Sequence, residues 1–336
     1  MAIDPAKPFD LKFTVQPAQD RNRLDLFVKA MLPSMSRARA QLRISEGRVE
    51  VNGAARPANW RVMAGDLVLL RCREPDGGAV EAAKSIPLDI IYEDDDLVAV
   101  NKQPGLIVHP VGKHRHDTLL NALYWRYRDV LPEGGSVNLA NRLDQYTSGV
   151  ILAVKNARTK RIVQEDFEDR APQKTYLAVC RGIIADDAGE IDLPIGRDPA
   201  ERDHCRMAIR RGADGKPSRT LYRVEERFAQ GFTLVRLKPV TGRQHQLRLH
   251  LSAIGHPLVA DSRYGGGNRL DLALADGGAM RQGRYALHAA ELVFPHPADR
   301  REIRLAAPLA ADLAALLKAL RDGARPVPES AGKSAF

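Results

Sequence analysis

The run RTLYRVEERFAQGFTLVRLKPVTGRQHQLRLHLSAIG, residues 219–255, sets two strand-like pieces directly before a helix, and its reading decides the fold. RTLYRVEERF (219–228) and FTLVRLKPV (232–240) are strand-like, rich in β-branched and aromatic residues. In RQHQLRLHLSAIG (243–255), Leu247, Leu251 and Ile254 are spaced for burial on one side of a helix, and Gly255 terminates it. Strands outnumber helices along the chain and several are consecutive, which points to an α+β body with a largely antiparallel sheet.

Outward from this run the same logic continues. LDIIYEDDDLVAVNKQPG (88–105) reads as two strands around an acidic turn. Asp117 is placed to cap a helix, TLLNALYWRYR (118–128), with Leu120, Leu123, Tyr124 and Tyr127 along one side. GVILAVKN (149–156) is a strand, 158–170 a basic helix and TYLAVCRG (175–182) a strand. YALHAAELVF (285–294) adds a strand and PLAADLAALLKAL (308–320) a closing helix. The predicted body is therefore a mixed, largely antiparallel central sheet flanked by helices over residues 88–322, followed by a disordered tail, 323–336. No internal repeat of solenoid period is present.

Residues 74–87, EPDGGAVEAAKSIP, read as a linker. Before it, Leu24, Phe27, Val28 and Met31 recur at helical spacing, and Pro33 closes that segment. Ser36 is placed to cap a second helix carrying Arg37, Arg39 and Arg43, with Gly47 past its end. Arg39 and Arg43 lie four apart and project from one face. Strands follow at VEVNG (49–53) and DLVLLR (66–71). Residues 21–73 thus form a small α+β unit behind an N-terminal extension, 1–20.

Lys and Arg exceed Asp and Glu by nine, and residues 1–75 contribute five of that excess, with 13 bases against 8 acids. This imbalance favours a polyanionic partner docked on the N-terminal part, with a solvated basic surface as the alternative. The three cysteines, Cys72, Cys180 and Cys205, show no CxxC spacing, which argues against a disulfide framework or zinc knot. No apolar run approaches the ~20 residues of a membrane helix and MAIDPAKPFD has no signal core, so a cytoplasmic protein without membrane contact is expected.

Most candidate chemistries fail on spacing. Gly265–Gly267 lack a strand–GxGxxG–helix context and read as a mobile loop. His245 and His250 fall about 140° apart on a helix, poorly placed to share a metal ion. Lys102 could serve as a Schiff-base or phosphate lysine, or simply occupy a turn. Ser148 has no GxSxG frame. There remains NRLDQYTSG (141–149), with Asp144 two residues after Arg142. A lone carboxylate can act as nucleophile, or stabilise an oxocarbenium ion, where the leaving group is a delocalised nucleobase anion. To stay ionised in a dry pocket it needs a cation, and Arg142 and Arg248 are both on offer.

NRLDQYTSG resembles the HRLDxxTSG signature of the RluA-type family of RNA pseudouridine synthases. Four further blocks agree in order: LVAVNKQPGLIVHP (97–110), QKTYLAVCRG (173–182), LKPVTGRQHQLRLHLSAIGHPLVADSRYGG (237–266) and LHAAELVFPHP (287–297). The N-terminal piece resembles the S-four-type RNA-binding module. The resemblance implies the pseudouridine synthase fold and isomerisation of uridine in RNA without metal or cofactor. It implies Asp144 as the catalytic aspartate, Tyr176 packed on the target base and a candidate for handling the carbon 5 proton, and Arg248 paired with the carboxylate. Arg142 is implied to enter the space left by the flipped uridine. Thr147, Arg243 and His245, in the same blocks, are taken as substrate-binding positions, and Arg37, Arg39 and Arg43 as RNA-docking ones.

The expected partner is structured RNA, ribosomal before transfer RNA, with a monomer as the default and no obligate protein partner. Asn141 departs from the commoner histidine, and Gln145-Tyr146 from a charged or small pair; Tyr146 could be a core aromatic or an RNA-stacking surface. A non-catalytic RNA binder and a base hydrolase are the competing readings.

Overall fold

All seven residues of SGVILAV (148–154) are buried, so this strand is covered on both faces and lies inside a sheet. The computed structural model describes residues 9–32, 37–72, 86–112, 114–128, 137–169, 171–200 and 206–327. The chain divides into two units, residues 1–78 and 79–336.

The first unit contains β1 (Phe9–Thr14), α1 (Leu24–Met31), α2 (Arg37–Ser45), β2 (Val49–Val51), β3 (Ala54–Ala55) and β4 (Leu67–Cys72), with the sheet ordered β1-β4-β2-β3. Leu24, Phe27 and Val28 of α1 and Ala40 and Ile44 of α2 close over Val49, Val51, Val68 and Leu70. Residues 9–14, expected in an extension, instead pair with β4 along their whole length. Their alternation explains it: Leu11 and Phe13 pack on this core, and a period of two is a strand signal. Ser36 lies outside the described residues, as does all but the end of the expected linker.

One acid breaks the apolar face of α1. Asp25 is fully buried and accepts from Arg23 Nε (3.0 Å), Arg37 Nε (3.1 Å) and Gln41 Nε2 (2.7 Å). The bond from Arg23, joined by those from Gln41 and Arg37, outweighs burial and holds this carboxyl well below the usual range. A depressed folded pKa stabilises at pH values above the unfolded one, ~3.9, and that stability is lost as pH falls through the folded value. Asp25→Asn is expected to remove about 2 kcal/mol from the first unit at pH 7 and to flatten its stability profile below pH ~4. Urea titrations followed by Trp60 fluorescence, in a Trp125→Phe background, check both.

The second unit comprises β5 (Ile90–Glu93), β6 (Leu97–Lys102), α3 (Leu119–Tyr127), β7 (Asn138–Leu139), β8 (Ser148–Val154), α4 (Ala157–Glu168), β9 (Gln173–Arg181), β10 (Ala188–Asp192), β11 (Ile195–Arg197) and β12 (Met207–Ile209). It continues with β13 (Arg219–Phe228), β14 (Phe232–Pro239), α5 (Gln246–Ala253), β15 (Leu270–Ala273), β16 (Ala279–Gln282), β17 (Leu287–Pro295), β18 (Glu302–Ala306), α6 (Ala311–Arg321) and β19 (Arg325–Pro326). The central sheet runs β10-β13-β14-β9-β17-β8-β6-β5, with β18 on β17 and β7 on β8. Among these pairings only β17 with β8 is parallel, so the sheet is mixed and largely antiparallel, as the consecutive strands predict.

Alternation distributes each strand between two cores. Val98, Val100 and Ile151 face Leu119 and Leu123 of α3 and Leu247 and Leu251 of α5, while Leu97, Ala99 and Leu152 face Val163 of α4. The parallel junction explains the glycine of TSG. At Gly149 φ is +112°, and a Cβ there would stand 2.1 Å from the carbonyl oxygen of Ala289. Only glycine lets β8 and β17 approach here, five residues after Asp144.

Three local readings change. Thr118, not Asp117, caps α3, its hydroxyl accepting from the amide of Asn121. The buried side of α3 is Leu119, Ala122, Leu123 and Tyr127, with Leu119, Leu123 and Tyr127 packed into the core, and Tyr124 is exposed. The expected tail begins late: Ala324 is buried, β19 pairs with β15 and Val327 donates to the Asp271 carbonyl. Residues 328–336 lie outside the described residues.

Candidate active site

The loop between β7 and β8 carries Asp144, and its backbone is held from several sides. Asn141 is buried, donates to the Val150 carbonyl (3.2 Å) and accepts from the Leu152 amide (2.8 Å), tying the loop to β8. The Thr147 amide donates to the Asp144 carbonyl (3.1 Å), closing the turn. The Gln145 carbonyl accepts from Lys102 Nζ (2.8 Å), and Tyr146's from Arg284 Nη1 (2.9 Å). The Asp144 carboxylate is left partly exposed.

Arg248 reaches it from α5. Its Nη1 donates to Asp144 Oδ2 at 3.3 Å, but the stronger grip is Asp261, which accepts from Nε at 2.7 Å and Nη2 at 2.8 Å. Burial opposes the charge on this guanidinium; the bonds and charge of Asp261 prevail and raise its pKa. Tyr285 and Tyr264 stack against it, 4.1 Å and 5.1 Å from ring centroid to Cζ. Asp261 thus fixes the cation so that one N–H is aimed at Asp144.

His245 caps α5 at φ +55°, a left-handed conformation that costs of order 1–3 kcal/mol in a non-glycine residue. Gln246 accepts from Thr241 Oγ1 (2.8 Å) and from the Arg243 amide (3.0 Å), which fixes the turn. His245 lies 3.9 Å from Asp144 and hydrogen-bonds Tyr264 through Nδ1 (2.8 Å). Burial, against the attraction of Asp144, lowers its pKa and favours the neutral ring. Burial, then the charge of Asp144, raises the pKa of Tyr176, which therefore stays a phenol.

Asp144, Tyr176, Arg248, Arg142, Thr147, Arg243 and His245, read as catalytic and substrate-binding from sequence, all line one cavity of about 350 Å³. That volume suits a small organic group, ~300–1,000 Å³ being usual for such sites. Arg142 is exposed at this cavity. The docking arginines belong to the other unit: Arg37 is bound to Asp25, Arg43 lies 3.6 Å from Glu46, and the side chain of Arg39 is outside the described residues. His250 bonds Thr220 and the Leu193 carbonyl, and His256 the Arg181 carbonyl, so the histidines serve separate partners. Among the described residues no three His, Cys, Asp or Glu side chains are grouped to hold a metal.

Other expectations resolve differently. Gly265–Gly267 is a packed turn rather than a mobile loop: a Cβ on Gly266 would lie 1.7 Å from the Leu258 carbonyl oxygen, and the Gly266 amide bonds the Asp261 carbonyl. Gly266 therefore helps hold the backbone of the acid that holds Arg248. Tyr146 is exposed, edge-on to Tyr285 at 6.2 Å. Ser148 pairs with His288 (2.9 Å), but both are buried and closed to substrate.

Lys102 is fully buried and donates to the carbonyls of Gln103 (2.9 Å), Leu106 (3.0 Å) and Gln145 (2.8 Å). Burial, then the charge of Arg284, pushes its pKa down to about 7 against the pull of Asp144. Arg284 itself is clamped by Asp312 (2.7 and 2.8 Å) and supports both Tyr146 and Ser148. Sequence reading gave Asp261, Arg284 and Tyr285 no role, although an acid ending the apolar run PLVAD was a visible signal.

The sequence model of the RNA pseudouridylate synthase family matches residues 96–253, and that of the S4 domain matches residues 22–68. An uncharacterised RNA pseudouridine synthase of Bacillus subtilis is 36% identical over 313 residues, covering 93% of this chain and 98% of the relative. The ribosomal large subunit pseudouridine synthase D of Nitrosomonas europaea is 37% identical over 300 residues, 89% of this chain and 85% of the relative. The solved structure of human RNA pseudouridylate synthase domain containing 4 superposes with a TM-score of 0.56 at 26% identity, over 73% of this chain and 97% of its own.

Proposed function

The chain belongs to the RNA pseudouridylate synthase family and carries an S4 domain, and on that premise we propose that it isomerises uridines of large-subunit ribosomal RNA, with Asp144 as the catalytic carboxylate. The observation that carries this reading is the aim of Arg248, pinned by Asp261, at the Asp144 carboxylate inside the cavity. The ribosomal substrate is supported by the names of relatives at 36–37% identity, and this reading puts the protein in the cytoplasm.

The target uridine is extruded from RNA at a cost of a few kcal/mol, and Arg142, exposed at the cavity, fills the vacated place. Uracil packs on Tyr176, a contact worth ~1–3 kcal/mol. Asp144 acts at the sugar, as nucleophile or through a glycal route, while uracil leaves as an anion; Arg248 holds one carboxylate oxygen through Nη1. The uracil turns, carbon 5 bonds to the sugar, and its proton departs. Since Tyr176 is a phenol, it takes that proton only by passing its own onward.

The test is tritium release from RNA labelled at uracil carbon 5, with ribosomal and transfer RNA assayed separately in EDTA. Release from ribosomal RNA alone is expected. Release from transfer RNA alone would move the substrate class, and none from either despite binding would leave a non-catalytic binder. In the same assay Lys102→Met, which strips three buried carbonyls of their donor, is expected to cut turnover at least ~10-fold and stability by about 3 kcal/mol.

A further inference from the structure

A second cavity, of about 260 Å³, adjoins the active one. The two share Phe167, Lys174, Pro239, Thr241, Gly242 and Arg243. Lys174 stands two residues before Tyr176 on β9, so both side chains leave the same face of the strand, their Cα atoms about 7 Å apart. The Lys174 ammonium lies 4.8 Å from the Phe167 ring centroid, and a methyl group on Gly242 would stand 3.9 Å from it. It therefore sits at the seam between the two cavities.

Among the described residues no carboxylate pairs with this ammonium, whose one ring contact is Phe167. Burial lowers the Lys174 pKa, and no charge of either sign offsets or adds to that effect. Glu168 lines the second cavity but is exposed and makes no ion pair with Lys174. Arg243 is the other base shared by the two cavities; it is exposed, its Nε engaged only at 3.4 Å by the Pro217 carbonyl. A half-buried ammonium without a carboxylate, beside a second base, is the composition of an anion site.

We propose that Lys174, with Arg243 beside it, forms a phosphate subsite that holds one phosphodiester flanking the extruded uridine. The subsite rests on the isomerase reading only for placing uracil against Tyr176. With the base so placed, the nucleotide's own phosphate falls a few ångströms along β9, at the seam. Lys174 then anchors the backbone while the detached uracil turns, so the sugar does not drift from the ring.

The probe is UpUpU, together with two analogues in which one or the other phosphodiester is a neutral methylphosphonate. Binding to the full chain is measured by calorimetry for wild type, Lys174→Met and Lys174→Arg, with thermal unfolding as the fold control. Lys174→Met, whose stem still covers Phe167, is expected to weaken UpUpU binding about 10-fold or more, and Lys174→Arg to retain most of it. For one methylphosphonate analogue, and only one, the loss on Lys174→Met should vanish, because the charge it answers is already gone. An equal loss on all three ligands, or no loss on UpUpU, overturns the subsite. Tritium release by the wild type is scored separately. Coupling without release would sink the isomerase reading and keep the phosphate site, whereas release without coupling would do the reverse.

Discussion

Asp144→Asn is expected to lower turnover by about 10⁴-fold or more while leaving RNA affinity within about threefold. The amide keeps the shape and one acceptor for Arg248 Nη1, which today reaches the carboxylate at 3.3 Å, so the loop and cavity should survive. Stability should hardly change, since the side chain is partly exposed and Arg248 retains its stronger partner, Asp261. What disappears is the negative charge at the sugar, and neither His245, kept neutral by burial, nor the phenol of Tyr176 can supply it. Single-turnover tritium release together with filter binding separates the two quantities. Turnover within tenfold of wild type would remove Asp144 from the chemistry altogether.

How far was this legible beforehand? The longer elements were, because each leaves a local signature: alternation in β13, the 3–4 spacing of Leu247, Leu251 and Ile254, glycine after α5; short strands such as β10, β15 and β18 were not. The site residues on the cavity wall were legible as well, since they cluster in three short motifs around Asp144, Tyr176 and Arg248. The supports behind it were not. Lys102 meets Gln145 across 43 residues and Arg284 meets Tyr146 across 138, and no periodicity encodes a pairing at such a distance. The error at Gly265–Gly267 has the same root. Glycine run and flexible loop look alike in sequence, and only the carbonyl of Leu258 against Gly266 shows that lack of a side chain serves close packing here. At residues 9–14 the alternation was visible, but its partner strand lay more than fifty residues on.

Asp261→Leu should cost about 3–5 kcal/mol of the second unit's stability and lower turnover about 10²- to 10³-fold. Asp261 is fully buried and takes two of Arg248's nitrogens; without it a buried guanidinium is left with Asp144 as its remaining carboxylate. The cation is then expected to turn onto Asp144 and close a short bidentate pair, occupying the oxygens that must face the sugar. Stability and activity should part company in the double variant. Asp261→Leu with Arg248→Met replaces the buried pair by apolar side chains, a change that is often neutral or stabilising in itself, so unfolding should recover much of the single variant's loss. Turnover should not recover, because the Arg248 N–H that reaches the Asp144 carboxylate is then gone. Urea unfolding and tritium release on all four members of the cycle measure the split. If Asp261→Leu alone keeps both near wild type, Arg248 is held by the tyrosine rings, and Asp261 is not the brace.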